Sequence, residues 1–414
     1  MLLNLAREFL LRPIATPRGW QAPHAARICL AALTIGLLPL GTNLLTPIFP
    51  VIQARMMLGN GAVTAAFVAY VVPVVIGLPL VGHWSEYMGR RVVLVASLLI
   101  ATIAATILLF AASLPELLAG RALHGLAVAL SFGAGAAALR DLLPGEPSLC
   151  ARIILLASVG GGAAGPLVGG WLSEFGDPVG APFTVYLATM MLVLVLLVIV
   201  RAYPPILAPP PRGFIGSLRP PRPSLPRSTF TVFCIASGVG FLSFAVFGFF
   251  LSVAPAFYAP MLGGSRVMGG LPGALILGGS ACAQLLPIRG RQKAAISLAV
   301  MMIGVVMIVI SQPLQLAWLL FIAATLTGLS QGVAFRTLFA ALNSELPKQT
   351  ASQTVSLMYV ITYLGSAIPV LTLGWAMDFW GSTVAVTVFL LVVAAAALIF
   401  AAICLSYRSS SPSP

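Results

Sequence analysis

Apolar residues run through this chain in long unbroken stretches, with short polar interruptions between them. The stretches lie at roughly 27–52, 62–83, 92–112, 115–140, 151–175 and 181–201, then at 229–257, 266–288, 292–312, 314–340, 350–377 and 381–405. A helix crosses hydrocarbon with about 20 apolar residues, so each stretch predicts one membrane-spanning helix. The expected fold is an all-α membrane protein of 12 transmembrane helices in two six-helix bundles, 27–201 and 229–406. Between them, 202–228 is rich in proline and arginine and cannot build a core, so it reads as an extended linker. Residues 1–26 form an N-terminal segment. Asn4, Arg7, Glu8 and Arg12 share one face of its first twelve residues, which predicts a short interfacial amphipathic helix. Residues 407–414 are a tail.

Composition agrees. Hydrophobic residues make up 60% of the 414 and charged residues 7%, against roughly 25% charged in soluble domains. A soluble enzyme is excluded, because so few charges cannot cover a water-facing surface. The net charge of +13 would ordinarily point to nucleic acid, but its placement points elsewhere. All but three of the 22 basic residues (Arg55, Arg121 and Arg266) fall in the even-numbered loops, the linker and the two ends. That is the positive-inside pattern. It predicts cytoplasmic termini in a bacterial inner membrane, with the lipid bilayer rather than nucleic acid as partner. The five cysteines stand singly, with no metal or redox spacing, so no cofactor and no metal are expected.

The two halves resemble each other. At a shift of 203 positions Gly125-Leu126 falls on Gly328-Leu329, Gly162 on Gly365, and Pro166 on Pro369. One residue of slippage then aligns Gly170-Trp171-x-x-Glu174-Phe175 with Gly374-Trp375-x-x-Asp378-Phe379. A parallel six-plus-six duplication is a transporter architecture, with substrate bound between the repeats.

Three motifs carry mechanism. Residues 82–91 read GHWSEYMGRR, with Gly82, Glu86, Gly89, Arg90 and Arg91 at fixed spacing between the second and third spans. Arg121 lies within the fourth span, four residues before Gly125, and an arginine inside a span marks function by default. The fifth span holds GGAAGPLVGGW, in which Gly161, Gly165 and Gly169 form one bare ridge beside Ser158, Gly162, Pro166 and Gly170. Such a surface lets another helix approach at backbone distance. Together these motifs resemble the major facilitator superfamily, most closely its 12-helix drug:proton antiporters. In that family the loop acid is usually aspartate, where this chain has Glu86, and a basic residue usually stands at Tyr87. The resemblance implies several roles. Asp141 would pair with Arg90 as a conformational switch. The fifth helix would pack on the glycines of the eighth (Gly269, Gly270, Gly273, Gly278, Gly279). Helices 1, 4, 7 and 10 would line a cavity, offering Thr42, Asn43, Thr46, Phe241, Phe244, Phe247 and Gln331.

None of the nine acids falls at the middle of a span. A cationic site without a carboxylate disfavours cationic substrates. His124, one turn from Arg121, titrates near neutrality and is the first candidate for proton coupling, with Glu116 the second. The expected protein is a monomeric proton-coupled exporter of small neutral or anionic amphiphiles. A proton symporter or uniporter importing a metabolite, and a non-transporting receptor or scaffold, remain open at this point.

Overall fold

The computed structural model describes residues 23–81, 84–199, 225, 229–286, 291–347 and 351–406. Twelve helices among them are long and apolar enough to cross a membrane. We label them α1 (His24–Arg55), α2 (Asn60–Val81), α3 (Arg90–Phe110), α4 (Leu114–Leu142), α5 (Pro147–Leu172), α6 (Gly180–Ile199), α7 (Phe230–Ser252), α8 (Arg266–Leu285), α9 (Arg291–Ser311), α10 (Ala317–Glu345), α11 (Ala351–Trp380) and α12 (Ser382–Ser406). Their limits lie within a few residues of the apolar stretches. There are no strands among the described residues. The predicted N-terminal amphipathic helix, almost all of the linker and the tail lie outside them.

Helix ends follow local chemistry. Ser113 and Glu116 form a capping box at the start of α4, and the Ser265 hydroxyl caps α8 by accepting from Met268 N. Prolines lie inside α1, α2, α5, α8 and α11. Neighbouring helices tolerate them where hydrocarbon alone would not. α1 is a composite, with the helix ending at Leu44, a 3-10 turn over Thr46–Ile48 and a last helix over Phe49–Arg55. Pro47 and Pro50 sit in the first turns of these two pieces, where a missing N–H costs nothing.

The described residues form two compact units, one from 23–57 and 69–199, the other from 58–68 and 225 onward. In the first, α1 packs on α5 and α4, and α3 packs on α4 and α6. Ala31, Ile35, Ala138, Leu139 and Cys150 make a buried cluster where α1, α4 and α5 meet. In the second, α7 packs on α11 and α10, α9 on α10 and α12, and α8 on α10. Each packing pair of the first unit has its counterpart six helices on, as a parallel duplication requires.

Glycines show the equivalence at atomic scale. A Cβ on Gly125 of α4 would overlap the Tyr70 carbonyl oxygen of α2, and one on Gly328 of α10 would overlap the Ile276 carbonyl oxygen of α8. Likewise Gly161 of α5 abuts the backbone of Gly36 in α1, and Gly365 of α11 abuts that of Phe241 in α7. Gly365 therefore corresponds to Gly161, one residue from the partner that the sequence alignment gives it.

In the second unit Asp378, near the end of α11, accepts from Asn60 N (2.9 Å), Asn60 Nδ2 (2.9 Å) and Gly61 N (2.8 Å), which caps the first turn of α2. In the first unit Asp177 does similar work. It accepts from Val179 N and Gly180 N at the start of α6 and pairs with Arg55 Nη2 at 2.5 Å. The hydrogen bond from Arg55, then that from Gly180, hold its carboxyl down to about 2. A depressed carboxyl contributes stability that is fully present above its ordinary value and disappears as pH falls through the depressed one. Acidification from about pH 7 to about pH 4 is therefore expected to leave this ion pair intact. Both partners are half exposed, so screening limits its worth to under about 1 kcal/mol. Thermal melts of wild type and Asp177→Asn check this. The difference between them is expected to be constant over that range and to vanish near pH 2.

Candidate functional site

The site is built on α4. Arg121 and His124 are three residues apart and so share a face, and both are buried, at 1% and 0% exposure. Arg121 Nη1 donates to the Thr42 carbonyl of α1 at 2.9 Å, and its guanidinium lies 4.9 Å over the centre of the Tyr70 ring of α2. A buried cation needs such partners, since its water is gone. Gly125 accounts for the closeness of α2: without a Cβ on α4, the backbone at Tyr70 comes into contact and brings its ring beside Arg121.

His124 is held from two more sides. Its Nε2 lies 3.2 Å from the Leu38 carbonyl oxygen of α1 and 3.2 Å from the Tyr186 hydroxyl of α6. The imidazole and phenol rings are nearly parallel, 20° apart in plane and 5.9 Å between centres. Tyr186 reaches this position because residue 41 is glycine, where any Cβ would overlap the phenol ring. His124 Nδ1 is buried and has no hydrogen-bond partner among the described residues. Four helices of the first unit thus meet around one arginine and one histidine. Sequence reasoning found those two but missed Tyr70 and Tyr186. The available signal was a tyrosine inside an apolar span, whose hydroxyl must find a partner when buried.

Other expected site residues take different parts. Glu116 is exposed at the start of α4 and spends Oε2 on Ala112 N (2.7 Å) and Ser113 N (3.2 Å). It caps the helix and is not part of the Arg121–His124 cluster. Thr42 donates its hydroxyl to Leu38 O, and Asn43 Nδ2 donates to Gly162 O of α5 at 2.9 Å. Thr46 is buried in the 3-10 turn. In the second unit Phe244 packs against Phe247 and Tyr363. Phe241 instead lines an apolar crevice of about 520 Å³ between α7, α11 and α12, with Leu242, Trp380, Phe389 and Phe400. Gln331 is buried, and its Oε1 has no hydrogen-bond partner among the described residues.

Within the first unit the glycine ridge has a close partner: Gly161, Gly165 and Gly169 lie against α1. They meet the carbonyls of Gly36, Leu40 and Leu44 in turn. The two series advance together by four residues, so α1 and α5 run parallel with their ridges in register. Pro166 and Gly170 are buried in the same helix. A Cβ on Gly269 or Gly278 would meet nothing within 4 Å, while Gly279 faces α10.

At the other end of α4, Arg90 Nε pairs with Asp141 at 2.9 Å and Arg90 Nη1 donates to Ser85 Oγ at 2.9 Å. Arg91 turns the other way and donates to the Leu197 and Val198 carbonyls, which caps the end of α6. Gly89, at φ +98°, sets the turn that starts α3 at Arg90. Glu86 is exposed on a short helix, Ser85–Met88, and Gly82 lies outside the described residues.

Comparison with known proteins gives a consistent picture. The family model described as Major Facilitator Superfamily matches residues 31–370. The class E tetracycline resistance protein of Escherichia coli is 31% identical over 161 residues, 38% of this chain and 39% of that one. The bacillibactin exporter of Bacillus subtilis (strain 168) is 26% identical over 144 residues, 33% of this chain and 36% of that one. The matched stretch is thus well under half of either relative. Among solved structures, a D-xylose-proton symporter superposes with a TM-score of 0.72 at 16% identity, covering 94% of this chain and 98% of that one. A bacterial homologue of the human lysosomal transporter Spinster, inward-facing and occupied, gives 0.69 at 14%, covering 93% and 96%. At such identities these structures speak for the fold.

Proposed function

The chain belongs to the Major Facilitator Superfamily, and from that premise we propose that this integral membrane transporter is a proton-coupled exporter of small neutral or anionic amphiphiles. It works by alternating access as a monomer in the bacterial inner membrane, with both termini cytoplasmic. The observation that carries the reading is the buried Arg121–His124 pair, in contact with α1, α2 and α6 at once. A titratable group held by α1 and α6, beside a cation held by α1 and α2, is placed to bias how those helices pack. Protonating His124 sets a second positive charge one turn from Arg121, with little solvent to screen it. That repulsion loosens the contacts to Thr42 O, the Tyr70 ring and Leu38 O, and it favours whichever state separates them. A proton shifts the equilibrium by as much as its affinity differs between the two states.

Two further features support export. The relatives matched in sequence are a resistance protein and an exporter. The Arg90–Asp141 pair ties the third helix to the end of the fourth, as a switch that closes the cytoplasmic side would need. Asp141 is 36% exposed in its side chain, so Asp141→Asn is expected to change thermal stability by less than about 1 kcal/mol. Its flux is expected to fall several-fold, because the cost lies in the distribution between states. Melting curves and vesicle transport, run side by side, check this.

The direct test is transport in everted membrane vesicles with an imposed proton gradient, screened first by growth of an overexpressing strain on diverse toxic compounds. Uptake into everted vesicles that collapses with the gradient is the expected result. Flux in the opposite direction would make the protein an importer. No flux with any compound in the screen would favour a receptor or scaffold.

A further inference from the structure

The proton-coupled reading leaves open which atom of His124 takes the proton and what holds the ring so that it can. We infer that Tyr186 is a positioning residue that, with the Leu38 carbonyl, fixes His124 as the Nε2–H tautomer and leaves Nδ1 as the atom that takes the transported proton. This rests on the coupling proposed above and adds to it a residue on α6.

The argument is one of donors and acceptors. A backbone carbonyl oxygen only accepts, so the Nε2···Leu38 O contact at 3.2 Å requires hydrogen on Nε2. The Tyr186 hydroxyl lies at the same nitrogen, also at 3.2 Å, and its oxygen shares that hydrogen. In the other tautomer Tyr186 would donate to Nε2, but the Nε2 lone pair would then face the lone pairs of Leu38 O. The neutral ring therefore keeps its lone pair on Nδ1. That nitrogen is buried and has no hydrogen-bond partner among the described residues. A second proton on the ring therefore goes to Nδ1, and it makes the ring a cation. The nearly parallel phenol ring offers its face to the resulting cation. The step moves one proton from water on one side of the membrane onto the Nδ1 lone pair, and from there to water on the other side.

The groups facing this histidine are few. α4 contributes Arg121, α6 contributes Tyr186, and α2 contributes Tyr70 across the arginine. α1 contributes backbone carbonyls and the Thr42 hydroxyl, with no ionisable side chain between Leu30 and Ile52. Neither α3 beyond Arg91 nor α5 beyond Arg152 contains a titratable side chain. The titration near the site is therefore that of His124, opposed by one cation and oriented by one phenol.

The experiment uses the full chain in lipid nanodiscs, labelled with 15N-histidine. His124 is assigned as the resonance pair lost in His124→Gln. Above its titration, wild type is expected to show hydrogen on Nε2 and a bare Nδ1, and acidification is expected to add the second hydrogen at Nδ1. Tyr186→Phe is expected to stay monodisperse, with hydrogen still on Nε2 through the Leu38 carbonyl but with a shifted Nε2 resonance, since the ring loses one of its two anchors. Its proton-driven flux should fall roughly tenfold at matched pH, the loss expected for one hydrogen bond to a charged group, and its pH profile should move. A bare Nε2 in wild type overturns the inference. So does a Tyr186→Phe protein whose Nε2 resonance and pH profile both match wild type. If the spectra are as expected but His124→Ala still exports with a normal response to pH, the coupling reading fails. The transported proton then does not sit on Nδ1.

Discussion

Replacing Gly161 with alanine is expected to strip the membrane of folded protein, while Gly160→Ala, one position away, is expected to be silent. The difference is geometric. A Cβ at Gly161 would overlap the backbone of Gly36, whereas one at Gly160 would meet nothing within 4 Å. Backbone atoms cannot rotate aside as a side chain can, so α1 and α5 must separate along the whole ridge. Overpacking of this kind costs about 1–3 kcal/mol per site and occasionally more. The loss is compounded by the bond from Asn43 to Gly162 O, which depends on the same approach. Gly365→Ala is expected to repeat the defect between α11 and α7, because its Cβ would overlap the Phe241 carbonyl. Gly269→Ala is its silent control. Yield of monodisperse protein in mild detergent and its thermal midpoint check all four. A folded, stable Gly161→Ala protein would contradict the packing described here.

His124→Ala should remove proton-linked efflux by more than about tenfold while leaving the amount of protein in the membrane unchanged. The side chain is fully buried and stacks on the Tyr186 ring. Arg121→Leu is the companion variant. A buried ion replaced by an apolar side chain of similar volume is often neutral for stability, so this protein is expected to fold and to lose transport. Its loss should differ in kind from that of His124→Ala. Under the proposed function the histidine variant keeps the cation available to an anionic substrate, whereas the arginine variant keeps the titrating group and loses the charge it works against. Substrate binding measured apart from flux separates the two. Binding is expected to persist in His124→Ala and to weaken in Arg121→Leu. Unchanged export by His124→Ala at every pH would reject the role assigned to that residue.

What sequence reasoning did not reach shares a cause. The bare ridge on α5 is visible as spacing, and spacing specifies a face. It does not specify that α1 lies against that face. Glu116 is an acid near Arg121 in sequence, but the capping box at Ser113 engages it first, because the free N–H groups of a helix start are its nearest donors. Phe241 has the helical spacing of Phe244, and only the packing of α7 on α11 and α12 shows that it lines the apolar crevice.

By itself the chain determined how many times it crosses the membrane, where each crossing starts and stops, and that one half repeats the other. Those follow from the cost of unpaired backbone in hydrocarbon and from the reach of a helix, which are properties of local sequence. It also determined that Arg121 and His124 share a face. Only the tertiary structure decided that α1 covers the α5 ridge and that Tyr70 and Tyr186 arrive at the buried pair. It likewise decided that His124 turns Nε2 to a carbonyl and leaves Nδ1 bare. Such contacts join residues up to a hundred or more positions apart, and their partners are selected by which helices glycine allows to approach.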